Sequence, residues 1–293
     1  MFRKAFVESS LKKLIETCHI INFMQNNKPF FSILTPVYNR ADFIVRTLDS
    51  IRMQLDVDYE VIIVDDCSED NGVIVVEDYL NKYNLKWSFF KNNENKGQLV
   101  SKNFAAQKAR GKYLIFMDSD DYFPDEYTCQ RMYNIIQGNR NQTLFMFRCV
   151  GINGKEVTNS PDFNGVLSFR DYFKKKVNGE YLPVVYLEAF NKVKFRPDLR
   201  SGTGLAWRKI TEYNGSLYIS SVLSRIYDNS HDQRLTNRNK DYYKRYLKYR
   251  TVDLQMNLMN YLKYDQKGGL KLVKNIFKIR FKLLRYVFSS QTS

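Results

Sequence analysis

Two clusters of carboxylates follow apolar runs in this chain: Asp65-Asp66 directly after residues 59–64, and Asp118-Ser119-Asp120-Asp121 directly after residues 113–117. A buried strand that ends in closely spaced acids delivers their oxygens to one edge of a sheet, where hard oxygen ligands can hold a divalent cation such as Mg²⁺ or Mn²⁺. That is chemistry suited to a diphosphate. Asp118 and Asp120 lie two apart, so an extended backbone turns both to the same face. A three-residue pattern recurs by chance, and acids at strand ends also cap turns. The elements around the acids therefore decide the matter.

Those elements alternate. Apolar runs over residues 30–36, 59–64, 86–90 and 113–117 read as strands. Helical spacing over 40–54 (Phe43, Ile44, Thr47, Leu48, Ile51), 73–83 and about 99–109 separates them. Strand–helix alternation predicts a largely parallel sheet covered on both faces, with ligands outside the carboxyl ends of its strands. Both acidic clusters stand at such ends. A helix from Pro124 to Gly138, a strand over 143–150 and a turn at Asn153-Gly154 follow. Residues 160–235 read as irregular and rich in Gly, Asn and Arg, the kind of loop region where specificity sits.

The termini read differently. Residues 1–28 form a predicted helical extension, with Leu11, Leu14, Ile15, Cys18 and Ile21 at helical spacing. After Gly268-Gly269, a predicted hinge, Leu270, Val273, Phe277, Phe281, Leu284 and Phe288 make an apolar stripe beside Lys271, Lys274, Lys278, Lys282 and Arg285. A basic amphipathic helix of this kind can lie on an anionic membrane or pack on its own protein.

A hydrophobic fraction of 44% argues against disorder, and a net charge of +15 favours anionic partners without choosing among nucleic acid, lipid surface and phosphorylated small molecules. Basic residues spread along the chain and no nucleic-acid module is present, so no nucleic acid is expected. Four dispersed cysteines and two histidines leave a structural zinc unsupported. With no continuous signal core and no stretch of about 20 apolar residues, the expectation is a cytoplasmic protein, including one held peripherally on the inner face of the cell membrane.

Four segments carry a resemblance. They are Ser32-Ile33-Leu34-Thr35-Pro36-Val37-Tyr38-Asn39, Val64-Asp65-Asp66-Cys67-Ser68-Glu69-Asp70, Asn95-Lys96-Gly97 with Lys102-Asn103, and Ala109-Arg110-Gly111-Lys112-Tyr113 leading into Asp118-Ser119-Asp120-Asp121. On them the chain resembles a family 2 glycosyltransferase of the bacterial surface-glycan type. The resemblance implies an α/β GT-A fold, a mostly parallel Rossmann-like sheet flanked by helices, with a helical C-terminal extension. It implies a catalytic domain over 29–238, with a nucleotide-binding half (29–125) and an acceptor half (126–238), before a basic helical region over 239–293.

The implied activity is inverting transfer from a nucleoside diphosphate sugar, uridine-linked by preference, to a saccharide acceptor that includes lipid-linked glycans. By the same resemblance Thr35, Pro36, Tyr38 and Asn39 meet the nucleotide, with Tyr38 against the base. One of Asp65 and Asp66 accepts the ring N–H of uracil, Asp66 being the first choice. Lys96, Gly97 and Lys102 lean on the nucleotide or its phosphates. Asp118 and Ser119 belong to the donor site, and Asp120 binds Mg²⁺ or Mn²⁺. His231 and Arg234 match a flexible loop in which an imidazole can ligate the metal and a guanidinium can fork onto phosphate.

One departure stands out. Where relatives carry a glutamate a few residues before a tryptophan, this chain has Thr203 and Gly204 before Trp207, and neither can accept a proton as a carboxylate does. Asp198 or Glu188 is the expected substitute. The alternative reading is a noncatalytic sugar-nucleotide binder, and a basic nucleic-acid-binding protein stands behind it.

Overall fold

The computed structural model describes residues 28–174, 179–199, 202–228, 230 and 240–289. Residues 1–27, nearly all of the expected N-terminal extension, lie outside the described residues. Strands β1 (Phe31–Val37), β2 (Tyr59–Asp65), β3 (Ser88–Lys91) and β4 (Tyr113–Phe116) alternate with helices α1 (Ala41–Arg52), α2 (Gly72–Lys82) and α3 (Gln98–Lys108). They form a parallel block in the order β3-β2-β1-β4.

Beyond β4 the chain continues through α4 (Thr128–Gly138), β5 (Leu144–Gly151), β6 (Gly165–Ser168), α5 (Phe169–Phe173), β7 (Tyr181–Tyr186), α6 (Leu187–Val193), α7 (Gly204–Asn214) and β8 (Ser216–Tyr227). These strands extend the same sheet as β4-β7-β5-β8-β6. β7 runs antiparallel to both β4 and β5, and β6 runs antiparallel to β8. The region expected to be irregular thus supplies three strands. Their apolar runs, such as Leu182 to Val185, are too short and too interleaved with polar residues to declare themselves by periodicity.

Strands buried on both faces explain the unbroken apolar runs. Ile33, Ile63 and Ile115 pack under α1, α2 and α4. Their neighbours Leu34, Ile62 and Leu114 point the other way, toward α3, α6 and α7. Phe116, Phe190, Phe195 and Trp207 form an aromatic cluster in that second core, with Phe116 centred 5.1 Å from Phe190 and 5.7 Å from Trp207.

Helices α8 (Lys240–Tyr264) and α9 (Gln266–Ser289) form an antiparallel pair. The break falls at Asp265, whose Oδ1 accepts the Gly268 N–H (2.9 Å) and caps the second helix. Gly268 and Gly269, read as a hinge, instead lie inside α9, where a Cβ on Gly269 would meet Tyr261 at 3.0 Å. Their smallness brings the helices together. The pair is anchored to the sheet by Asp253, fully buried, which receives Arg208 of α7 at 2.5 Å, Asn257 at 3.0 Å and Tyr261 at 3.1 Å.

The entry into β4 is fixed by Glu60. Its Oε1 accepts from Ser32 Oγ (2.6 Å) and from the Arg110 and Gly111 N–H groups (2.5 and 3.1 Å), while Oε2 accepts from Arg110 Nε (3.0 Å). A Cβ at Gly111 would stand 2.6 Å from the Ser32 nitrogen, so only glycine allows β4 to start this close to β1. Burial pushes the Glu60 carboxyl up, but Ser32 and the Arg110 and Gly111 donors outweigh it, leaving it below its ordinary value. Because the folded value is the lower one, this stabilisation is present above the unfolded pKa and is lost as pH falls through the folded value. Glu60→Gln is expected to unfold about 1–3 kcal/mol more easily at neutral pH. In denaturant titrations that gap should close as pH drops below about 4.3, the unfolded carboxyl value.

Candidate active site

The carboxyl ends of β1, β2 and β4 meet at one edge of the sheet. β1 runs through Thr35 and Pro36 to Val37, in register with β2 as far as Val37 opposite Asp65. Thr35 and Pro36 are therefore buried strand residues, because pairing with β2 holds the strand together past the proline. The chain leaves at Tyr38, which is exposed, and Asn39, whose φ is +51°. Asn39 is stapled to the next loop, its N–H donating to Ser68 Oγ (3.1 Å) and its Oδ1 accepting the Glu69 N–H (2.8 Å).

The two acids after β2 have separate work. Asp65 accepts the Ser68 N–H (3.0 Å) and shapes the turn into α2. Asp66, 3% exposed, accepts the N–H groups of Lys96 (3.0 Å) and Gly97 (2.7 Å), Asn92 Nδ2 (2.8 Å) and Ser101 Oγ (3.0 Å). Three of these bonds converge on Oδ1 and one on Oδ2. Asp66 thus holds the loop before α3 in place. Gly97, at φ +92°, turns that loop into α3, and Lys96 is exposed beside it.

The acidic turn after β4 is clamped from α1. Thr47, fully buried, donates its hydroxyl toward the carbonyls of Ser119 (3.0 Å) and Asp121 (2.7 Å). Arg46 donates to the Asp120 carbonyl (2.8 Å) and pairs with Asp228 at 2.5 Å. Arg40 pairs with the Asp120 carboxylate at 3.2 Å. From α3, Lys102, only 5% exposed, places Nζ 2.6 Å from Asp118 Oδ1. Burial pushes the Asp118 carboxyl up, and the Lys102 ammonium outweighs it, so the group lies below the usual carboxylate range.

Asp121 is the most enclosed of the run. Arg225 of β8 reaches it at 3.1 Å, and the Asp228 N–H donates to it at 3.0 Å. Burial nevertheless pushes its carboxyl upward. The Arg225 guanidinium also contacts Cys149 Sγ (3.2 Å), the Tyr181 carbonyl (3.3 Å) and Glu180 (3.5 Å).

Asp118 opens onto a cavity of about 600 Å³ floored by Phe116, Met146 and Ile219 and rimmed by Lys102, Glu180, Thr203, Arg208 and Arg225. The two expected bases do not line it. Glu188 follows Tyr186, which pairs with Tyr113 at the amino end of β4; because β7 is antiparallel, Glu188 stands at the opposite edge of the sheet from Asp118. Asp198 is exposed in the α6–α7 connection, forked by Arg196 (2.8 and 3.0 Å) with Lys248 at 3.5 Å, and its carboxyl is drawn down to about 2, chiefly by the Arg196 hydrogen bond. His231 and Arg234 lie outside the described residues.

The same antiparallel direction brings Glu180, just before β7, to the carboxyl edge of β4. Sequence reasoning missed it, together with Arg225 and Arg208. A strand direction was the missing signal.

This arrangement, a parallel block extended by strands of mixed direction with acids at the carboxyl edge, is the GT-A fold. Residues 32–198 match the model of Glycosyl transferase family 2, and the chain belongs to that family. Poly(ribitol-phosphate) beta-N-acetylglucosaminyltransferase TarS of Staphylococcus aureus is 36% identical over 132 residues, which is 44% of this chain and 22% of the relative. An uncharacterized glycosyltransferase of Haemophilus influenzae is 29% identical over 187 residues, 62% of this chain and 59% of the relative. The chain thus spans less than a quarter of TarS.

Among solved structures, S. aureus TarS 1-349 in complex with UDP-GlcNAc superposes with a TM-score of 0.64 at 20% identity, covering 86% of this chain and 72% of that one. Mannosyltransferase PcManGT from Pyrobaculum calidifontis, in complex with GDP-Man and Mn²⁺, gives 0.57 at 16% identity over 90% and 80% of the two chains. At these identities the likeness is one of fold.

Removing Arg225 leaves Asp121 buried against Asp118 and Asp120 without its cation. Arg225→Met is expected to cost about 3–5 kcal/mol of stability, read as a lowered midpoint in urea, because breaking one side of a buried pair strands the other.

Proposed function

We propose that this chain is an inverting glycosyltransferase that moves a sugar from a UDP-linked donor to an anionic surface polymer or a saccharide acceptor, lipid-linked ones included. The observation that carries the proposal is the pair Asp118 and Asp120, held at the carboxyl end of β4 with Asp118 opening onto the 600 Å³ cavity. The TarS structure with UDP-GlcNAc supports a UDP-linked donor, and a net charge of +15 suits a polyanionic acceptor such as the poly(ribitol phosphate) in the name of TarS. The nucleotide would lie over residues 29–125, with Tyr38 and Asn39 nearest the base, and the acceptor would approach across residues 126–238.

The donor set fits Mg²⁺ or Mn²⁺. Carboxylate oxygens suit hard cations, and Asp118 Oδ1 is a buried oxygen with no aligned hydrogen-bond donor. Among the described residues no three acidic, histidine or cysteine side chains gather closely enough to chelate alone, so Asp118 and Asp120 would share the ion with the donor diphosphate, and His231 with them. When bound, the ion offsets charge on the departing diphosphate. Lys102 and Arg40 keep both carboxylates in place before the donor arrives.

Asp118→Asn and Asp120→Asn are each expected to lower sugar transfer from UDP-GlcNAc by about 100-fold or more, and to weaken UDP-GlcNAc binding by calorimetry in the presence of Mn²⁺. Normal turnover in both variants discards this site.

Among the described residues no helix is long and apolar enough to cross a membrane. The region over 239–293 is proposed instead as a surface contact. On α9, Leu270 and Phe277 are exposed on a face shared with Lys267, Lys271, Lys274 and Lys278, and buried Leu272, Ile276 and Ile279 face the protein. An exposed apolar stripe rimmed by lysines is complementary to anionic lipid. The full chain is expected to pellet with phosphatidylglycerol vesicles, and the double variant Leu270→Ser/Phe277→Ser to bind about tenfold more weakly. Equal pelleting of the two proteins removes this role from α9.

A further inference from the structure

By the resemblance, the position of the proton-accepting carboxylate falls on Thr203 and Gly204, beside the docking site of α8. The loop is given to docking helix α8: Gly202, at φ +114°, lies so close to Tyr249 that a Cβ would meet the ring at 2.5 Å. Tyr249 Oη is 3.6 Å from where a Cβ on Gly204 would stand. A side chain is thus excluded at Gly202 by an aromatic from the C-terminal pair, while at Gly204 the same ring stands at ordinary contact distance.

Glu180 stands on the same cavity from another side. Asp118 and Glu180 are the carboxylates of its lining, and Asp118 is committed to Lys102. Gly179, at φ +116°, sits against the backbone of residues 157 and 158, where a Cβ would meet the Val157 carbonyl at 2.5 Å, and the Glu180 N–H donates to that carbonyl at 3.0 Å. The backbone at Glu180 is therefore held, while its side chain, part of the cavity lining, remains 53% exposed. Arg225, fixed by Asp121 and the Tyr181 carbonyl, orients the carboxylate from 3.5 Å.

We propose that Glu180 is the catalytic residue that takes the proton of the acceptor hydroxyl, an assignment that rests on the transferase reading above. As the acceptor oxygen bonds to the anomeric carbon, the bond from that carbon to the diphosphate oxygen breaks. The hydroxyl proton passes to a Glu180 oxygen, and the electron pair leaves with the nucleoside diphosphate. Neither Asp198 nor Glu188 is placed for this step.

The test uses the full chain with UDP-GlcNAc and a panel of poly(ribitol phosphate) and saccharide acceptors. Glu180→Gln is expected to lower transfer kcat by at least about 100-fold, the usual worth of a general base, while leaving the UDP-GlcNAc dissociation constant within about threefold. Glu180→Asp is expected to recover part of the rate, which a purely structural role would not predict. Asp198→Asn and Glu188→Gln are expected to transfer at near-parental rates. Parental turnover in Glu180→Gln overturns the assignment alone, as does a Glu180→Asp rate no better than that of Glu180→Gln. A parent that transfers to no acceptor overturns the transferase reading and the assignment together.

Discussion

Carboxylates crowded at one sheet edge repel each other, and the rest of this molecule is arranged around offsetting that repulsion. Two like charges about 4 Å apart cost roughly 4 kcal/mol in a partly buried setting. Each acid of the turn after β4, and Asp228 beside it, has its own cation: Lys102 for Asp118, Arg40 for Asp120, Arg225 for Asp121 and Arg46 for Asp228. The cations come from α1 and the residue before it, from α3 and from β8, so the ion pairs join segments from both halves of the sheet. A buried pair gains little net stability over an apolar one, because desolvation consumes most of the attraction. What the pairs secure is position, since an acid with a fixed partner cannot swing away from the cavity.

Backbone tethers complete that constraint. Thr47 reaches two carbonyls of the acidic turn, and Asp66 gathers two amides and two side chains from the loop before α3. Charges offset by cations would still drift if the peptide bearing them were loose. Polar groups that find partners inside the protein rather than in water make the arrangement rigid before any ligand arrives. The apolar floor of Phe116, Met146 and Ile219 lowers the local dielectric and strengthens each of these interactions.

Much of this was readable from residue types. Apolar runs separated by helical spacing led to β1 through β4, because strands buried on both faces and amphipathic helices have different periods. The acids at Asp65 and Asp118 marked strand ends for the same reason. Periodicity carries no strand direction, however. Glu188, one of the two expected bases, and Glu180 lie on either side of β7, and only its antiparallel pairing with β4 says which end meets the cavity. Asp66 shows a second blind spot. Sequence displays a polar residue near a site without showing that its oxygens also accept from the protein's own amides, as those of Asp66 do from Lys96 and Gly97.

The C-terminal pair is more than an appendage to the catalytic sheet. Arg208 lines the cavity and is also the partner of buried Asp253 on α8, so a guanidinium on the cavity wall is held from outside the sheet. Tyr249, one turn before Asp253, presses on Gly202 beside the same cavity. Moving α8 would therefore move both a cavity-lining cation and the loop that precedes Trp207. Helices with exposed apolar and basic side chains on one side and Arg208 and Gly202 against them on the other connect the outer surface of the pair to the shape of the cavity, through two side chains rather than through a long relay.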